Sequence, residues 1–303
     1  MCILCVAAAA AAPAAAIDPM LLHEDDFLVA NFVSPVLFNV MGVKVYSYGL
    51  LVAAALGTAF LIFGQELRRA AIQIDEYTCF FVFLAGFAIG SKAHLALSAI
   101  GAGEELSWKA FDIRTGHSFI GSQLGAVAGM ILLIKLHGVG ILRFLDVLLP
   151  CCLLGHAIGK IGCFLSGDGC YGPQADPKAV PWAMSFPNAA VPTAVPVHPT
   201  PLYESFLSFL VFMSVRAIFP LRGGEDGQDN ESAMPVVGRR TSLLLVMYGV
   251  ERVLIEPYRR HPPIELFMGL TEYQVLALIL LFIGILLELV GRWWGKGAKS
   301  KQA

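Results

Sequence analysis

The chain has 303 residues, of which 57% are hydrophobic and only 15% are charged. A soluble domain carries about a quarter of charged residues, so this composition indicates a membrane protein. Basic and acidic residues nearly balance, at 21 and 23, which gives no sign of a nucleic-acid surface and directs the search for partners to the bilayer.

Residues 1–19 are apolar and rich in alanine. They lack the basic stretch with which a secretory signal begins, so a cleaved peptide and a wrongly assigned start both stay open. We predict no function for this segment.

Runs of about 20 apolar residues predict transmembrane helices. Seven such runs lie at about 46–66, 76–98, 118–136, 141–165, 201–220, 241–258 and 272–292. An odd number of spans puts the two termini on opposite sides of the membrane. One set of helix ends carries twelve Lys and Arg residues and the other set carries six. Because cytoplasmic ends are enriched in basic residues, the C-terminus is predicted to be cytoplasmic and the N-terminus outside.

Two loops interrupt this pattern. The segment 222–239 is polar and rich in glycine, and is predicted to be a flexible cytoplasmic connection. The segment 166–200, between spans four and five, contains seven prolines and is predicted to form an ordered but non-helical region outside the membrane. We therefore expect an all-α integral membrane protein with an extracytoplasmic proline-rich head, in which residues 1–303 form a single polytopic domain.

Ionisable side chains lie within several of the predicted spans. Each costs roughly 2.5 to 3.5 kcal/mol at the centre of a spanning helix, so each needs a partner, a wet cavity or a function. The two residues Arg252 and Glu256 stand four positions apart and suit an intrahelical ion pair, which is one explanation. A pocket for an anionic phospholipid headgroup is the other, because Arg and Lys donate charge-assisted hydrogen bonds to phosphate. The whole set is Lys92, His94, Lys160, Glu204, Glu251, Arg252 and Glu256.

Three glycines in span four, Gly155, Gly159 and Gly162, share one face of the predicted helix. This spacing permits tight packing against another helix, which is the commoner explanation, or access for a lipid chain.

The seven cysteines follow no zinc-binding spacing, and several lie in apolar runs where Cys behaves as a small hydrophobic residue. The chain also lacks a motif for a soluble cofactor. We therefore expect neither a metal site nor a cofactor.

Several stretches resemble motifs of the bacterial prolipoprotein diacylglyceryl transferases, in the order in which that family has them. YSYGLL resembles the first-span motif, with Tyr48 at a tyrosine thought to matter for activity, and GKIGCFLSGD matches a second motif at its glycines and Phe164. VHPTPLYE resembles the family's His-Pro-x-x-Leu-Tyr-Glu, and YGVERVLIEPYR resembles its Tyr-Gly-x-x-Arg followed by Glu and Arg. Gln274 falls where the family has a glutamine. The resemblance extends over about residues 36–290.

The resemblance implies an enzyme of the bacterial inner membrane. Members of the family move the diacylglyceryl group of phosphatidylglycerol to the lipobox cysteine thiol in the signal peptide of a preprolipoprotein, and release glycerol phosphate. The thiol is alkylated at carbon with a phosphate leaving group, so the site must favour a thiolate and stabilise an oxyanion. The implied catalytic residues are Arg252, Glu256, Tyr48 and His117. The implied headgroup-binding residues are Lys160, Lys92, Cys163, Asp168, His198, Tyr203, Glu204 and Arg259. Glu256 is expected to orient Arg252.

The chain departs from the family at several positions, among them Cys163, Ser166 and Asp168, which replace Asn, Asn and Glu, and a histidine position in span three. The family has Ser-Phe-His-Gly-Gly at the start of span three, and here Ile120 stands in place of the histidine. His117 lies three residues earlier, nearly one helical turn or about 4.5 Å toward the outside, and is either its replacement or an interfacial histidine without a catalytic part. Lys92 and Lys160 replace arginines, which keeps the charge but loses the planar fork that binds phosphate with two hydrogen bonds.

Three classes of function stay open at this point. The first is a transferase that attaches lipid to a protein cysteine. The second is a lipid-binding paralogue that keeps the fold without the chemistry, or with an altered substrate, which the missing histidine favours. The third is a small-molecule transporter, although the paired repeats typical of transporters are not visible.

Overall fold

The computed structural model of the protein describes residues 27–101, 118–221, 237–259 and 269–300, with the backbone alone at 99, 119, 120 and 293–300. Seven α-helices lie in these residues. They are α1 Ser47–Arg69, α2 Glu76–Gly101, α3 Phe119–Leu136, α4 Ile141–Ser166, α5 Thr200–Ile218, α6 Arg239–Ile255 and α7 Glu272–Ser300. A 3₁₀ turn, Glu256–Tyr258, follows α6 directly. The protein is therefore mostly helical.

Five of these helices are long and apolar enough to cross a membrane. They are α1, the Glu76–Ser98 part of α2, α4, α5 and the Glu272–Arg292 part of α7. In α3 the apolar part described, Gly121–Leu136, is shorter than a full span. Helix α6 has 17 residues and carries buried charged side chains, among them Arg240 and Arg252. The count of seven spans therefore stays a prediction. Helix α6 is short and carries charged side chains that are buried in the protein interior.

The described chain divides into two compact units. The first comprises Met1–Ile62, Leu148–Pro220 and Pro235–Ala303, and the second comprises Phe63–Val147 and Leu221–Met234. Each unit is described by itself below. The prediction of a single polytopic domain stays a prediction.

In the second unit, α2 and α3 pack closely through glycines. A Cβ added at Gly125 would fall well inside contact distance of the Gly86 carbonyl oxygen and 2.6 Å from the Gly90 Cα. A Cβ added at Gly86 would lie 2.5 Å from the Gly125 carbonyl oxygen. Small residues four positions apart on each helix bring the two backbones together, as in membrane helix pairs. The short distance between α2 and α3 is therefore set by glycines, which have no side chains at the contact.

Short strands in the first unit form a small head. Strand β1 (Leu28–Val29) pairs in parallel with β4 (Met184–Phe186), and β4 pairs antiparallel with β5 (Thr193–Val197). A separate hairpin joins β2 (Val36–Val40) to β3 (Val43–Tyr46) just before α1. Its two-residue turn has positive φ at both Met41 and Gly42, as a type I′ turn requires. The alternation of apolar residues that would reveal these strands is too short for the sequence to predict them.

The head has its own hydrophobic core. Val33, Phe164, Phe186 and Val197 are buried together, and Tyr171 stacks on Phe186 with 4.9 Å between the ring centroids. Phe164 comes from the last turn of α4, so the end of that helix is anchored to the sheet. Because β5 ends three residues before α5 begins, the same head also positions the start of α5. The head therefore holds together the two helix ends that carry the buried charges.

Candidate active site

A fully buried carboxylate, Glu204, lies near the start of α5 and is surrounded by cations. The Oε2 atom of Glu204 lies 2.8 Å from Lys160 Nζ and 2.9 Å from Arg252 Nη1. The Oε1 atom lies 3.5 Å from Arg259 Nε. Only 4%, 5% and 6% of the three cationic side chains is exposed, and none of Glu204. We call these four residues the cationic cluster.

The cationic cluster joins segments that are far apart in the chain. Lys160 comes from α4, Glu204 from α5, Arg252 from the last turn of α6, and Arg259 from the residue after the 3₁₀ turn. Three positive charges share one negative charge, so the cluster has a surplus of two positive charges. Because the groups are buried, this surplus acts on a nearby anion with little screening by water. The arrangement is suited to binding a phosphate.

Two more buried carboxylates stand on α6 and directly after it. Glu251 accepts a hydrogen bond of 2.9 Å from the Ser208 hydroxyl, and Glu256 accepts one of 2.6 Å from the Thr271 hydroxyl. The sequence predicted that Glu256 orients Arg252, whereas the hydrogen bond described for Arg252 goes to Glu204. Orientation by Glu256 stays a prediction.

The start of α7 closes one side of the cationic cluster. Thr271 and Gln274 form a capping box. The backbone N–H of Gln274 donates to the Thr271 hydroxyl, and the backbone N–H of Thr271 donates to the side-chain oxygen of Gln274. This cap places the Tyr273 ring 5.9 Å from the Cζ atom of Arg252 and 5.3 Å from that of Arg259. Both distances are within the range of a cation–π contact. The glutamine that resembles the family's therefore has a structural role at this helix end.

His156 is a residue of this site that the sequence analysis did not assign. Its Nε2 atom lies 3.9 Å from Glu204 Oε2, and its ring meets the Tyr248 ring edge to face at 6.3 Å between centroids. His156 stands four residues before Lys160 on α4, so the two share one helix face. That spacing was the signal that could have identified it.

A group of aromatic side chains beside the head contains two of the predicted headgroup-binding residues, His198 and Tyr203. The ring centroid of His198 lies 6.1 Å from that of Tyr203 and 5.1 Å from that of Tyr258. The indole N–H of Trp182 donates a 2.5 Å hydrogen bond to the Tyr203 hydroxyl. Burial lowers the pKa of His198 from its ordinary value, because desolvation disfavours the imidazolium. The neutral imidazole is therefore favoured here.

Tyr48 lies in the first turn of α1 and packs near α4. A Cβ added at Gly162 would lie 3.5 Å from the Tyr48 ring and 3.0 Å from the Leu51 Cβ, and one added at Gly155 would lie 3.5 Å from the Ala59 Cβ. A Cβ at Gly159 would meet no atom within 4 Å. Two of the three glycines therefore face α1, as the tight-packing explanation expects. Tyr48 lies beside Gly162, which is two residues after Lys160 on α4.

Cys163 and Asp168 lie where α4 ends. Cys163 is buried, and Asp168 Oδ1 accepts a 3.1 Å hydrogen bond from the amide of Cys170. The thiol sulfurs of Cys163 and Cys170 and a carboxylate oxygen of Asp168 all lie within 4.8 Å of one another. The sequence did not predict this convergence, because two turns of the chain separate the cysteines.

Of the remaining predicted residues, Lys92 lies on α2 in the second unit, and His117 lies outside the described residues. Helix α3 begins at Phe119, and the Ser118 side chain caps it by accepting from the Gly121 amide. His94 Nδ1 lies 2.9 Å from the Ser118 hydroxyl. The imidazole of His94, which belongs to α2, therefore lies at the start of α3.

Comparison with protein families identifies the chain. The model of the prolipoprotein diacylglyceryl transferase family matches residues 35–290, which is most of the sequence. The chain belongs to this family. Together with its apolar helices, this membership makes it a bacterial membrane protein.

Individual members of the prolipoprotein diacylglyceryl transferase family are similar to the chain over nearly their whole length. The phosphatidylglycerol–prolipoprotein diacylglyceryl transferase of Clostridium tetani is 28% identical over 86% of this chain and 98% of its own. That of Leptothrix cholodnii is 28% identical over 88% and 97%. A protein of Clostridium perfringens named phosphatidylglycerol–prolipoprotein diacylglyceryl transferase 2 is 23% identical over 86% and 96%.

Membership of the transferase family draws attention to where the imidazole of His94 lies. The family resemblance expects a histidine at position 120, directly before Gly121, and this chain has Ile120 there. A Cβ added at Gly121 would collide with the Cβ of His94. The close packing of α2 and α3 thus brings His94 from a different helix to the neighbourhood of the motif that lacks its own histidine.

Proposed function

We propose that this protein transfers the diacylglyceryl group of phosphatidylglycerol to the lipobox cysteine of preprolipoproteins in the bacterial inner membrane. The observation that carries the proposal is the buried cationic cluster around Glu204, with its surplus of two positive charges. Membership of the transferase family supports it. So do the names of the relatives, which state the donor lipid and the protein acceptor.

The reaction makes a definite electrostatic demand. The acceptor thiolate attacks the diacylglyceryl CH₂ carbon, so a C–S bond forms while the C–O bond to phosphate breaks. The thiol proton leaves to a base, and the phosphodiester, with one negative charge, becomes glycerol phosphate with two. Lys160, Arg252 and Arg259 outnumber the one carboxylate that they contact, so the cationic cluster suits this leaving group. Stabilising charge that develops during the reaction is how such a cluster accelerates it.

Lys160, Arg252 and Arg259 are the groups that we assign to the phosphate. In the structure they hold Glu204, which keeps the three cations together against their mutual repulsion. Glu204 is in this account a positioning residue, since it acts through the cations. When phosphate binds, the two Arg side chains offer planar donors, and Lys160 offers a point charge. Catalytic parts for Tyr48 and Glu256, and a headgroup contact for Lys92, complete the proposal.

The aromatic group beside the head suits a headgroup at the membrane surface. Tyr and Trp side chains prefer this depth because one end of each is apolar and the other can donate hydrogen bonds. The aromatic group brings together side chains that have both an apolar ring and a polar N–H, O–H or ring nitrogen. They are Trp182, His198, Tyr203 and Tyr258. We assign to this group the glycerol part of the headgroup, with Cys163 and Asp168 at the adjoining end of α4.

The proposed arrangement in the membrane follows the sequence prediction. Seven spans, with α3 and α6 as the two shorter ones, place the N-terminus and the head outside and the C-terminus in the cytoplasm. The head then lies on the side where secreted preprolipoproteins emerge.

A second function is favoured by one observation. Ile120 removes the side chain that the family uses at this position, and a protein with the fold but without a base would bind phospholipid without transferring it. The transferase needs a base, which His94 or His117 would provide, whereas the lipid-binding protein has none.

Complementation separates these functions. We expect the protein to restore lipidation of a reporter lipoprotein in cells depleted of their own transferase, measured as the mass added to the reporter's cysteine. Arg252→Ala should lower the lipidation rate roughly a hundredfold or more, because it removes a group that stabilises the leaving phosphate. Arg216→Ala is the matched control, since Arg216 lies in the last turn of the same α5 that begins near Glu204 and contacts the Phe212 ring.

Histidine variants assign the base. We expect His94→Ala or His117→Ala, but not both, to abolish lipidation at normal expression. An absence of lipidation by the wild-type protein, at good expression, would leave the lipid-binding function in place of the transferase.

A further inference from the structure

The end of α4 carries three metal-binding side chains that converge. The thiol sulfurs of Cys163 and Cys170 and a carboxylate oxygen of Asp168 lie within 4.8 Å of one another. Both cysteines are buried, with 1% and 5% of their surface exposed, while Asp168 is partly exposed. We propose that Cys163, Asp168 and Cys170 form a zinc-binding site, which we call the thiol–carboxylate site. The site shares Cys163 and Asp168 with the proposed headgroup region, but metal binding to it can be measured without the transfer reaction.

The separations suit a small tetrahedral ion. With metal–sulfur bonds of about 2.3 Å and metal–oxygen bonds of about 2.0 Å, ligand atoms of a tetrahedral zinc site stand roughly 3.5 to 3.8 Å apart. The three atoms lie within 4.8 Å of one another, so shifts of about 1 Å or less would bring them to that spacing. Two thiolates select a soft or borderline ion such as Zn²⁺ over Mg²⁺ or Ca²⁺, which prefer oxygen ligands.

The backbone between the cysteines is shaped to bring these atoms together. Gly167 and Gly169, on either side of Asp168, both have positive φ, at 60° and 86°. Glycine adopts this conformation without steric cost, and the two turns reverse the chain so that Cys170 returns toward Cys163. The Cys170 amide then donates to Asp168 Oδ1 at 3.1 Å, which fixes the carboxylate in the turn.

The turn is also held from outside. The Ala190 amide donates to the Ser166 carbonyl at 3.0 Å, and the Val191 amide donates to the Gly167 carbonyl at 2.9 Å. A Cβ added at Gly167 would collide with the Cβ of Ala189. The ligands therefore sit on a rigid scaffold, which lowers the cost of ordering them around an ion.

A disulfide between Cys163 and Cys170 is the competing use of the same thiols. The carboxylate distinguishes the two, because a disulfide has no need of Asp168, whereas a metal gains a third ligand from it. With three protein ligands, Zn²⁺ keeps a fourth position for water. The bound ion would tie the end of α4 to the turn that leads into the head.

Metal analysis of the full-length protein in detergent tests the proposal. We expect about one zinc ion per chain by elemental mass spectrometry after purification with zinc and dialysis. After removal of zinc, added Co²⁺ should give the intense sulfur-to-cobalt absorption of a thiolate site. Cys163→Ser and Cys170→Ser should each lose most of the bound metal, and Asp168→Asn should bind it more weakly. Cys152→Ser is the matched control, because Cys152 is an exposed cysteine on the same helix and should leave metal content unchanged.

A second measurement uses only the wild-type protein, in case the variants fold poorly. Zinc should slow alkylation of the peptides that contain Cys163 and Cys170 and leave that of Cys152 unaffected. The proposal is overturned if the wild type binds no zinc, if Cys152→Ser loses as much metal as Cys163→Ser, or if the unreduced protein yields a peptide in which Cys163 is bonded to Cys170. None of these results depends on transferase activity, so the proposed function can fail while this site stands, and the reverse.

Discussion

A carboxylate with no exposed surface, such as Glu204, must recover the hydration free energy that it loses on burial. Lys160 and Arg252 each supply a short contact to the same oxygen of Glu204. The pairing is mutual, because the three cations are almost as deeply buried and Glu204 is the carboxylate that contacts all of them. Breaking one member of such a buried set costs far more than the set contributes relative to an apolar core.

Glu204→Gln should therefore destabilise the protein by about 3 to 5 kcal/mol, because buried cations lose their counter-charge. The measurement is thermal or denaturant unfolding in detergent, followed by circular dichroism. Lipidation by the surviving folded protein should also fall, since the cations lose their common orienting group.

The same change at Glu288 is the control for Glu204→Gln. Glu288 on α7 pairs with Arg239 and Arg292 but is 24% exposed. Such an exposed pair contributes about 1 kcal/mol or less, so Glu288→Gln should have a small effect. Equal losses from the two substitutions would show that the cationic cluster has no special weight in stability.

Acidification should act through His198. Burial lowers the pKa of His198 in the folded protein below the ordinary value of about 6.5 that applies when the chain is unfolded. The unfolded state then binds more protons than the folded state in this range, so stability rises with pH there and is lost as the pH falls below about 6.5. Melting temperatures measured between pH 7.5 and 5.5 should show this loss.

His198→Gln should flatten part of this pH dependence, because the titrating group is gone. His137→Gln is the matched substitution, since His137 is exposed at the end of α3. It should leave the profile as in the wild type. A profile that is the same in all three proteins would contradict the assignment to His198.

At the scale of elements, glycine determines how closely α2 and α3 approach. Gly125→Ala should destabilise the pair by about 1 to 3 kcal/mol, because the new methyl group meets backbone atoms of Gly86 and Gly90 that can move only if the helices separate. Unfolding in detergent measures the loss.

Gly129→Ala makes the same change one turn further along α3. There the added Cβ would find its nearest atoms at 3.4 Å, which is ordinary contact. Alanine is the better helix former, so this variant should be neutral or slightly more stable. If both variants lose the same stability, helix separation is not the cause.

Helix-end chemistry was readable in part. The letters Thr271-Glu272-Tyr273-Gln274 contain the spacing of a capping box, and the structure has its reciprocal hydrogen bonds at the start of α7. The sequence does not show that the capping residue Thr271 also donates a hydrogen bond to Glu256, because this contact joins two different elements.

At the scale of the whole molecule, the arrangement in the membrane is open to direct labelling. Cysteine introduced at Asn188 in the head should react with a membrane-impermeant thiol reagent added to intact cells, because the head is predicted to lie outside. Cysteine introduced at Val237, just before α6, should react only after the cells are opened. Both positions are exposed in the structure, so access and not burial decides the result. Labelling is compared with the parent protein, and reversed reactivities would overturn the proposed orientation.

The sequence by itself determined that this is a helical membrane protein of the diacylglyceryl transferase family. Apolar run length is a local property of the chain, and the motifs around Lys160, Glu204 and Arg252 are contiguous strings, so both can be read without a fold. Family membership is confirmed, whereas the exact number of spans stays a prediction because α3 and α6 are short.

Only the tertiary structure decided which of these residues meet. Glu204 is 44 residues from Lys160 and 48 from Arg252 in the numbering, and nothing in the local pattern says that one carboxylate serves both. The sequence suggested instead a pairing of Arg252 with Glu256, because spacing along one helix is all that it displays. The convergence of Cys163 with Cys170 was hidden for the same reason, since it depends on turns at Gly167 and Gly169. Contacts between distant segments arise from packing, and packing is a property of the folded chain.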